Sequence, residues 1–297
     1  MTAAFDVTRR ALLAAPLSGL ALAAARAGTP RIAAIDWAAL ETLLAIGVAP
    51  VAAAELILYR AVVVEPALPP GVADLGLRGS PNYEALWAAR PDLILSSDFY
   101  VWAEPKLRLI APVERLSVYV RGRAPYGAAE EMTRTIGRLA ERPAAAEALI
   151  AGTRDELERL RGRLAGLAER RLIPVNFGDP RHFRVFGTDS MFGEVLARLG
   201  LDNAWGAGTS YSASAPIGLE ALAGIGDAWI VVVPPIPPDT RRALAQSVFW
   251  AALPNVRAGR VLVLEPINPF GALPAALRFG RLVAAGLTAP GGGRGLG

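Results

Sequence analysis

The chain has 297 residues, a formal net charge of +4 and no cysteine. The missing cysteine excludes disulfides, thiolate metal sites and a cysteine nucleophile. Arg9, Arg10 and Arg26 against Asp6 place +2 of the charge in the first 27 residues, and no basic run with interleaved aromatics follows, so nucleic-acid binding is not indicated.

Residues 1–27 read as a targeting segment. Thr8-Arg9-Arg10-Ala11-Leu12-Leu13 resembles a twin-arginine export signal, Ala11 to Ala25 is apolar, and Ala25-Arg26-Ala27 is a small-x-small site that predicts cleavage after Ala27. The apolar run is shorter than the about 20 residues that span a bilayer. With no cysteine to carry a lipid, the expected product is a periplasmic protein free of a membrane tether, monomeric and about 270 residues long.

From residue 28 to 126 short apolar strands alternate with helices, the pattern of a parallel sheet covered on both faces. Arg31–Ile35 is predicted as the first strand, Trp37–Ile46 as a helix ended by Gly47, and Val48–Ala53 as the second strand. Gly76-Leu77-Arg78-Gly79 is a loop carrying an arginine. Ser80-Pro81-Asn82 is a helix start, with Glu84 near the positive end of the helix dipole and Pro91 closing the helix. Leu93-Ile94-Leu95 is a buried strand, Ala103–Ile110 a helix and Val113–Leu116 a strand.

Residues 127–170 are nearly all helical, punctuated by Gly137 and Pro143. Ala144 to Glu169 carries no proline; at 1.5 Å per residue it extends roughly 39 Å, long enough to brace two lobes. Its charges, Asp155 to Arg163, read as a solvated face. The α/β pattern restarts over 171–289. Leu172–Phe177 is a strand, Asp179–His182 a turn, Val185-Phe186 a short strand and Ser190–Leu199 a helix ended by Gly200. Gly218–Gly224 is a short helix, Trp229–Val233 and Val261–Leu264 are strands, and Ala272–Ala285 is the closing helix. The Gly-rich tail 290–297 reads as unstructured.

Several segments in order carry a specific likeness: Ile35-Asp36-Trp37, Tyr59-Arg60 before Glu65-Pro66, Gly76-Leu77-Arg78, and Asp179-Pro180-Arg181-His182 with Val185-Phe186-Gly187. Asn203-Ala204-Trp205, Phe249-Trp250, Val256-Arg257-Ala258-Gly259-Arg260 and Gly271-Ala272 continue it to the closing helix. Together they resemble the periplasmic ferric-hydroxamate binding proteins of ABC importers, within the siderophore and vitamin B12 substrate-binding family. The resemblance implies two Rossmann-like α/β lobes with mostly parallel sheets, bridged by a single long α-helix, a ligand cleft between them and little hinge motion. It implies no catalytic activity and no cofactor, the iron being held by the siderophore. It implies two partners, a ferric siderophore and an ABC permease with its ATPase.

In that family a loop arginine and a tyrosine donate to the hydroxamate oxygens around the iron, and Arg78 and Tyr100 match them. Three hydroxamates cancel the charge of Fe³⁺ yet present a cluster of negative oxygens, which one guanidinium and a neutral hydroxyl suit. Well-known hydroxamate binders place tryptophans where this chain has Val62, Ser212 and Asn268. The aromatics available to the pocket are Trp37, Tyr59, Phe99, Trp102, Tyr211 and Phe270, whereas Trp205 and Trp250 read as core. Glu84 and Glu220, at helix starts in the two lobes, match the glutamates that register such proteins on two permease subunits; simple dipole compensation is the bland alternative.

Rival readings are thinner. No G-x-G-x-x-G follows a strand, there is no P-loop and no G-x-S-x-G elbow, and His182 is the only histidine. That leaves a periplasmic α/β enzyme without a motif. A carrier of haem, cobalamin, or a catecholate or citrate ferric chelate stays open, because Tyr59, Tyr100 or Tyr211 could serve haem as an axial ligand.

Overall fold

The computed structural model describes residues 29–209, 213 and 215–289. The expected leader at 1–27, the tail 290–297, Tyr211 and Ser212 lie outside the described residues.

The first lobe is a five-stranded sheet. The chain runs β1 (Ile32–Ala34), α1 (Trp37–Ala45), β2 (Ala52–Ala53), α2 (Leu56–Val62), β3 (Ala73–Asp74) and α3 (Tyr83–Ala88). It continues through β4 (Leu93–Ser96), a 3₁₀ helix (Asp98–Ala103), α4 (Glu104–Leu107) and β5 (Val113–Arg115). The strands lie in the order β3-β2-β1-β4-β5, and every pairing is parallel. Three expectations shift. The second strand shrinks to Ala52–Ala53, next to Pro50, which has no N–H for a ladder. The helix expected at 103–110 divides between the 3₁₀ turn and α4. In α3 the cap is Asn82, whose Oδ1 accepts from Ala85 N at 2.9 Å, so Pro81 precedes the helix rather than entering it.

α5 (Pro125–Leu139) and α6 (Pro143–Leu164) connect the lobes. α6 buries Ala146, Ile150, Thr153, Leu157, Leu160 and Leu164, the spacing of one helical face, and its 22 residues extend about 33 Å. Where α5 turns into α6, a Cβ on Gly137 would lie 2.4 Å from Cβ of Ala146.

The second lobe runs β6 (Arg171–Phe177), β7 (His182–Val185), α7 (Met191–Arg198), β8 (Asp202–Asn203), β9 (Ile217–Gly218) and a 3₁₀ helix (Leu219–Ile225). It ends with β10 (Trp229–Val232), α8 (Pro238–Ala245), α9 (Val248–Ala252), α10 (Pro254–Arg257), β11 (Val261–Val263) and α11 (Leu273–Thr288). Its sheet, β11-β10-β6-β7-β9 with β8 also on β6, is mixed: β7 is antiparallel to both β6 and β9. The short turn between β6 and β7 dictates this, since a parallel return needs a crossover of a dozen or more residues. Asp179 builds the turn, accepting from Arg181 N at 2.8 Å and His182 N at 2.9 Å.

Three apolar cores result. Two are local, one on the outer face of each sheet. The third is continuous: it joins Ile32, Leu95 and α1 of the first lobe, through α5, α6 and α11, to α7, Leu172 and Val231 of the second. The two lobes therefore share one core.

Candidate functional site

The order of the first sheet reverses between β1 and β4, and at their carboxyl ends an open parallel sheet leaves a crevice. Asp36 follows β1 and Ser97 follows β4. Ser97 Oγ donates to Asp36 Oδ2 at 2.7 Å, while Asp36 Oδ1 caps α1 by accepting from Ala38 N at 2.7 Å and Ala39 N at 3.3 Å. Burial pushes the Asp36 carboxyl up, against the pull of Ser97, the two amides and the nearby Arg78.

Arg78 is fixed on two sides. Its Nε donates to Glu55 Oε2 at 2.5 Å, and its Cζ lies 3.6 Å from the centroid of the Trp37 ring. Trp37 is itself pinned, its Nε1 donating to Ala54 O at 3.0 Å. Glu55 sits in the left-handed region at φ 59°, and its N–H donates to Gly76 O at 2.6 Å, which ties the arginine loop to the start of α2. The Arg78 side chain remains 29% exposed, with only one of its N–H groups committed to Glu55. Tyr100 adjoins it: burial first, then the Asp36 charge, pushes its hydroxyl up to about 12, with Arg78 opposing. At neutral pH that hydroxyl is therefore an O–H donor.

These groups line a cleft of about 570 Å³. Trp37, Arg78, Phe99 and Tyr100 form its first-lobe wall, with Asp36 and Glu55 beside them, and Arg184, Asn268 and Phe270 face them from the second lobe. The back of the cleft ties the lobes together. Glu41 Oε1, from α1, accepts from Ala272 N at 2.5 Å, and Glu41 Oε2 accepts from Asn268 Nδ2 at 3.2 Å. Burial pushes the Glu41 carboxyl up to about 8 despite these bonds. Tyr119 Oη donates to Gly271 O at 2.7 Å, and Phe270 meets the Tyr119 ring edge-on at 5.8 Å between centroids.

Of the residues singled out from sequence, Arg78, Tyr100, Trp37, Phe99, Asn268 and Phe270 come together here. Tyr59 does not. It is 1% exposed, edge-on behind Trp37 at 5.7 Å, and its hydroxyl donates to Pro66 O at 3.2 Å, so it buttresses the wall and is not part of it. Trp102, in the 3₁₀ helix, is 52% exposed and is not among the residues lining the cleft. Val62 packs on the shared core. Glu84 and Glu220 are both exposed, in the first turns of α3 and of the Leu219–Ile225 helix. Sequence reasoning missed Glu55 and Arg184. Strand alternation held a signal for the latter, since Phe183 and Val185 are buried on either side of it.

Residues 32–267 match the model of the periplasmic binding protein family. The chain is 32% identical over 253 residues to the iron(3+)-hydroxamate-binding protein FhuD of Escherichia coli (strain K12), covering 85% of each chain. Among solved structures, it superposes on the Fe³⁺-Desferal-bound siderophore-binding protein FhuD of Vibrio cholerae with a TM-score of 0.81 and 25% identity, covering 86% of this chain and 97% of that one. The triscatecholate siderophore-binding protein FeuA of Bacillus subtilis shares the fold at a TM-score of 0.70 and 19% identity, over 88% of this chain and 93% of its own. Two α/β lobes on a shared helical core, with a cleft at the switch point of the first sheet, are thus the form of a known group of carriers, and this chain belongs to the periplasmic binding protein family.

Proposed function

We propose that the protein is an extracytoplasmic carrier that captures an intact ferric siderophore of the hydroxamate type in the cleft and delivers it to an ABC permease for iron uptake. The observation that carries this reading is the Arg78 guanidinium, held by Glu55 and Trp37 with donors to spare, beside the protonated Tyr100 hydroxyl. Together they offer fixed donors to a cluster of negative oxygens whose complex has little net charge. Similarity to the hydroxamate-binding protein of E. coli and to the Desferal-bound protein of V. cholerae supports the same choice.

Iron is cargo in this scheme. Among the described residues no group of three or more His, Cys, Asp or Glu side chains is placed to hold a metal ion, and the siderophore supplies the ligands. The residues assigned to the ligand are Arg78 and Tyr100 as donors and Trp37, Phe99 and Phe270 as aromatic wall. Asn268 links the wall to the lobe junction. Glu84 and Glu220 are assigned to the permease. Both are exposed and each lobe supplies one, which suits registration on a two-subunit transporter. Glu84 also borders an apolar groove with Tyr83, Trp87 and Leu109, the last two 70% and 85% exposed, as an interaction surface would be. Export by the twin-arginine route with cleavage after Ala27 completes the proposal.

To test it, the purified protein is mixed with a ferric trihydroxamate, haem or cobalamin, passed through a desalting column, and examined by absorbance. Retention of the broad visible band of the ferric hydroxamate at one equivalent supports the reading. Retention of a Soret band instead, with no hydroxamate carried through, overturns it.

A further inference from the structure

Glu41 lies at the centre of a contact that neither lobe makes alone. α11 of the second lobe begins without a cap of its own: its N-cap is Ala272, and its first turn holds no acid. Glu41, one turn after Trp37 on α1 of the first lobe, supplies the missing acceptor. Its Oε1 accepts from Ala272 N at 2.5 Å and Ala275 N at 3.4 Å. The backbone comes so near that a Cβ on Gly271 would lie 2.4 Å from that oxygen. The other oxygen, Oε2, accepts from Asn268 Nδ2 at 3.2 Å, and Asn268 Oδ1 accepts in turn from Phe270 N at 3.1 Å. Phe270 lines the cleft, while Glu41 is fully buried and does not.

We infer that Glu41 is a positioning residue for the ligand site: its carboxylate orients the Asn268 amide, and that amide holds Phe270 in the second-lobe wall. This rests on the carrier reading above and adds to it a residue that touches no ligand. The Asn268 side chain has a donor end and an acceptor end. An ionised Glu41 takes the donor end and leaves the acceptor end to the Phe270 N–H. A protonated Glu41 must donate from Oε2, and Asn268 receives that proton only by a half-turn of its amide. The half-turn sets the amide NH₂ against the Phe270 N–H, donor against donor, and releases the wall. Among the described residues, the titratable neighbours of Glu41 are Asp36, whose charge favours the proton on Glu41, and Tyr59 and Tyr119, whose hydroxyls donate to Pro66 O and Gly271 O. The arginines of α11, which packs on α1, are engaged elsewhere, Arg278 with Glu65 and Arg281 with Glu156. So are the charges of α5: Glu130 with Arg154, Glu131 with Arg123, Arg134 with Glu147 and Arg138 with Thr135. The amide network therefore decides how the two states of Glu41 differ.

The test is calorimetric titration with a neutral ferric trihydroxamate across a range of pH, repeated in two buffers of different ionisation enthalpy to count protons. Wild-type affinity is expected to rise about tenfold, or about 1.4 kcal/mol, as pH passes through the Glu41 value of about 8, with a proton released on binding below it. Glu41→Gln, which cannot ionise and sets an amide against Asn268, is expected to bind at the low-pH level of wild type at every pH and to release no proton. Asn268→Ala leaves the cap of α11 in place and is expected to lose the same slope and proton release. An Asn268→Ala protein that binds more weakly at every pH but keeps the slope would make Asn268 a ligand contact only and overturn the assignment of Glu41. A wild-type affinity that does not change with pH would overturn it as well, and in both cases the carrier reading stands. If wild type binds no ferric hydroxamate, the carrier reading fails and this inference with it.

Discussion

Arg78 and Glu41 show how differently two charged side chains are used a short distance apart. Arg78 is half-committed, one N–H on Glu55 and the rest of its plane on Trp37, which fixes its position without exhausting its donors. Arg78→Ala should weaken ferric hydroxamate binding by at least about 1.5 kcal/mol, the low end for a hydrogen bond to a charged group, as read by calorimetric titration. Unchanged affinity would remove the residue from the site. Glu41 is sealed at the lobe junction, and burial raises its carboxyl to about 8. A carboxyl raised in the folded state binds its proton over a range where the unfolded chain has lost it, so stability declines as pH rises from the ordinary glutamate value of about 4.5 to about 8. Glu41→Gln should remove that slope, about 1.4 kcal/mol per pH unit at most, in denaturant titrations at several pH values. Parallel pH profiles for the two proteins would contradict it. Arg78 was legible in sequence as a loop arginine, and Tyr100 only through the family resemblance that matched it to a ligand-facing tyrosine. Glu55 was not, because its role depends on a left-handed backbone that brings it to Arg78 across 23 residues. Tyr59 misled because a tyrosine beside an arginine looks the same whether its ring faces the ligand or the back of Trp37.

Elements were legible where local chemistry marks their ends. Gly47 and Gly200 close α1 and α7 at φ 78° and 72°, conformations that favour glycine. Ser190 opens α7 by accepting from Gly193 N at 3.0 Å. Strands of two residues such as β3, β8 and β9 carry no detectable periodicity, and the β6–β7 hairpin hid inside an otherwise parallel pattern. The close contact of α5 with α6 is invisible in sequence beyond the glycine itself. A Cβ at Gly137 would meet Cβ of Ala146 at 2.4 Å and Arg142 O at 3.2 Å, so Gly137→Val should destabilise the fold by about 1–3 kcal/mol through overpacking. Chemical denaturation measures this directly. A stability within a few tenths of a kcal/mol of wild type would mean that the two helices are less closely apposed than described.

The whole molecule is built so that a cleft opens on one side of a shared core. Because α1, α5, α6 and α11 pack into a single apolar cluster and Glu41, Asn268 and Tyr119 bridge the lobes, the cleft is largely formed before a ligand arrives. Delivery then depends on the outer surface. The Glu84→Ala, Glu220→Ala double variant should keep its chelate affinity and lose most siderophore-dependent iron uptake in cells, because both charges are exposed and neither lines the cleft. Uptake at the wild-type rate would dismiss the docking assignment. Capture itself is best tested by titrating the protein with a ferric trihydroxamate while following tryptophan fluorescence, since Trp37 forms part of the cleft wall. Saturable quenching at one equivalent with micromolar or tighter affinity, absent for haem and cobalamin, is the predicted result. No saturable response to any ferric hydroxamate, with saturation by haem or cobalamin instead, would contradict it.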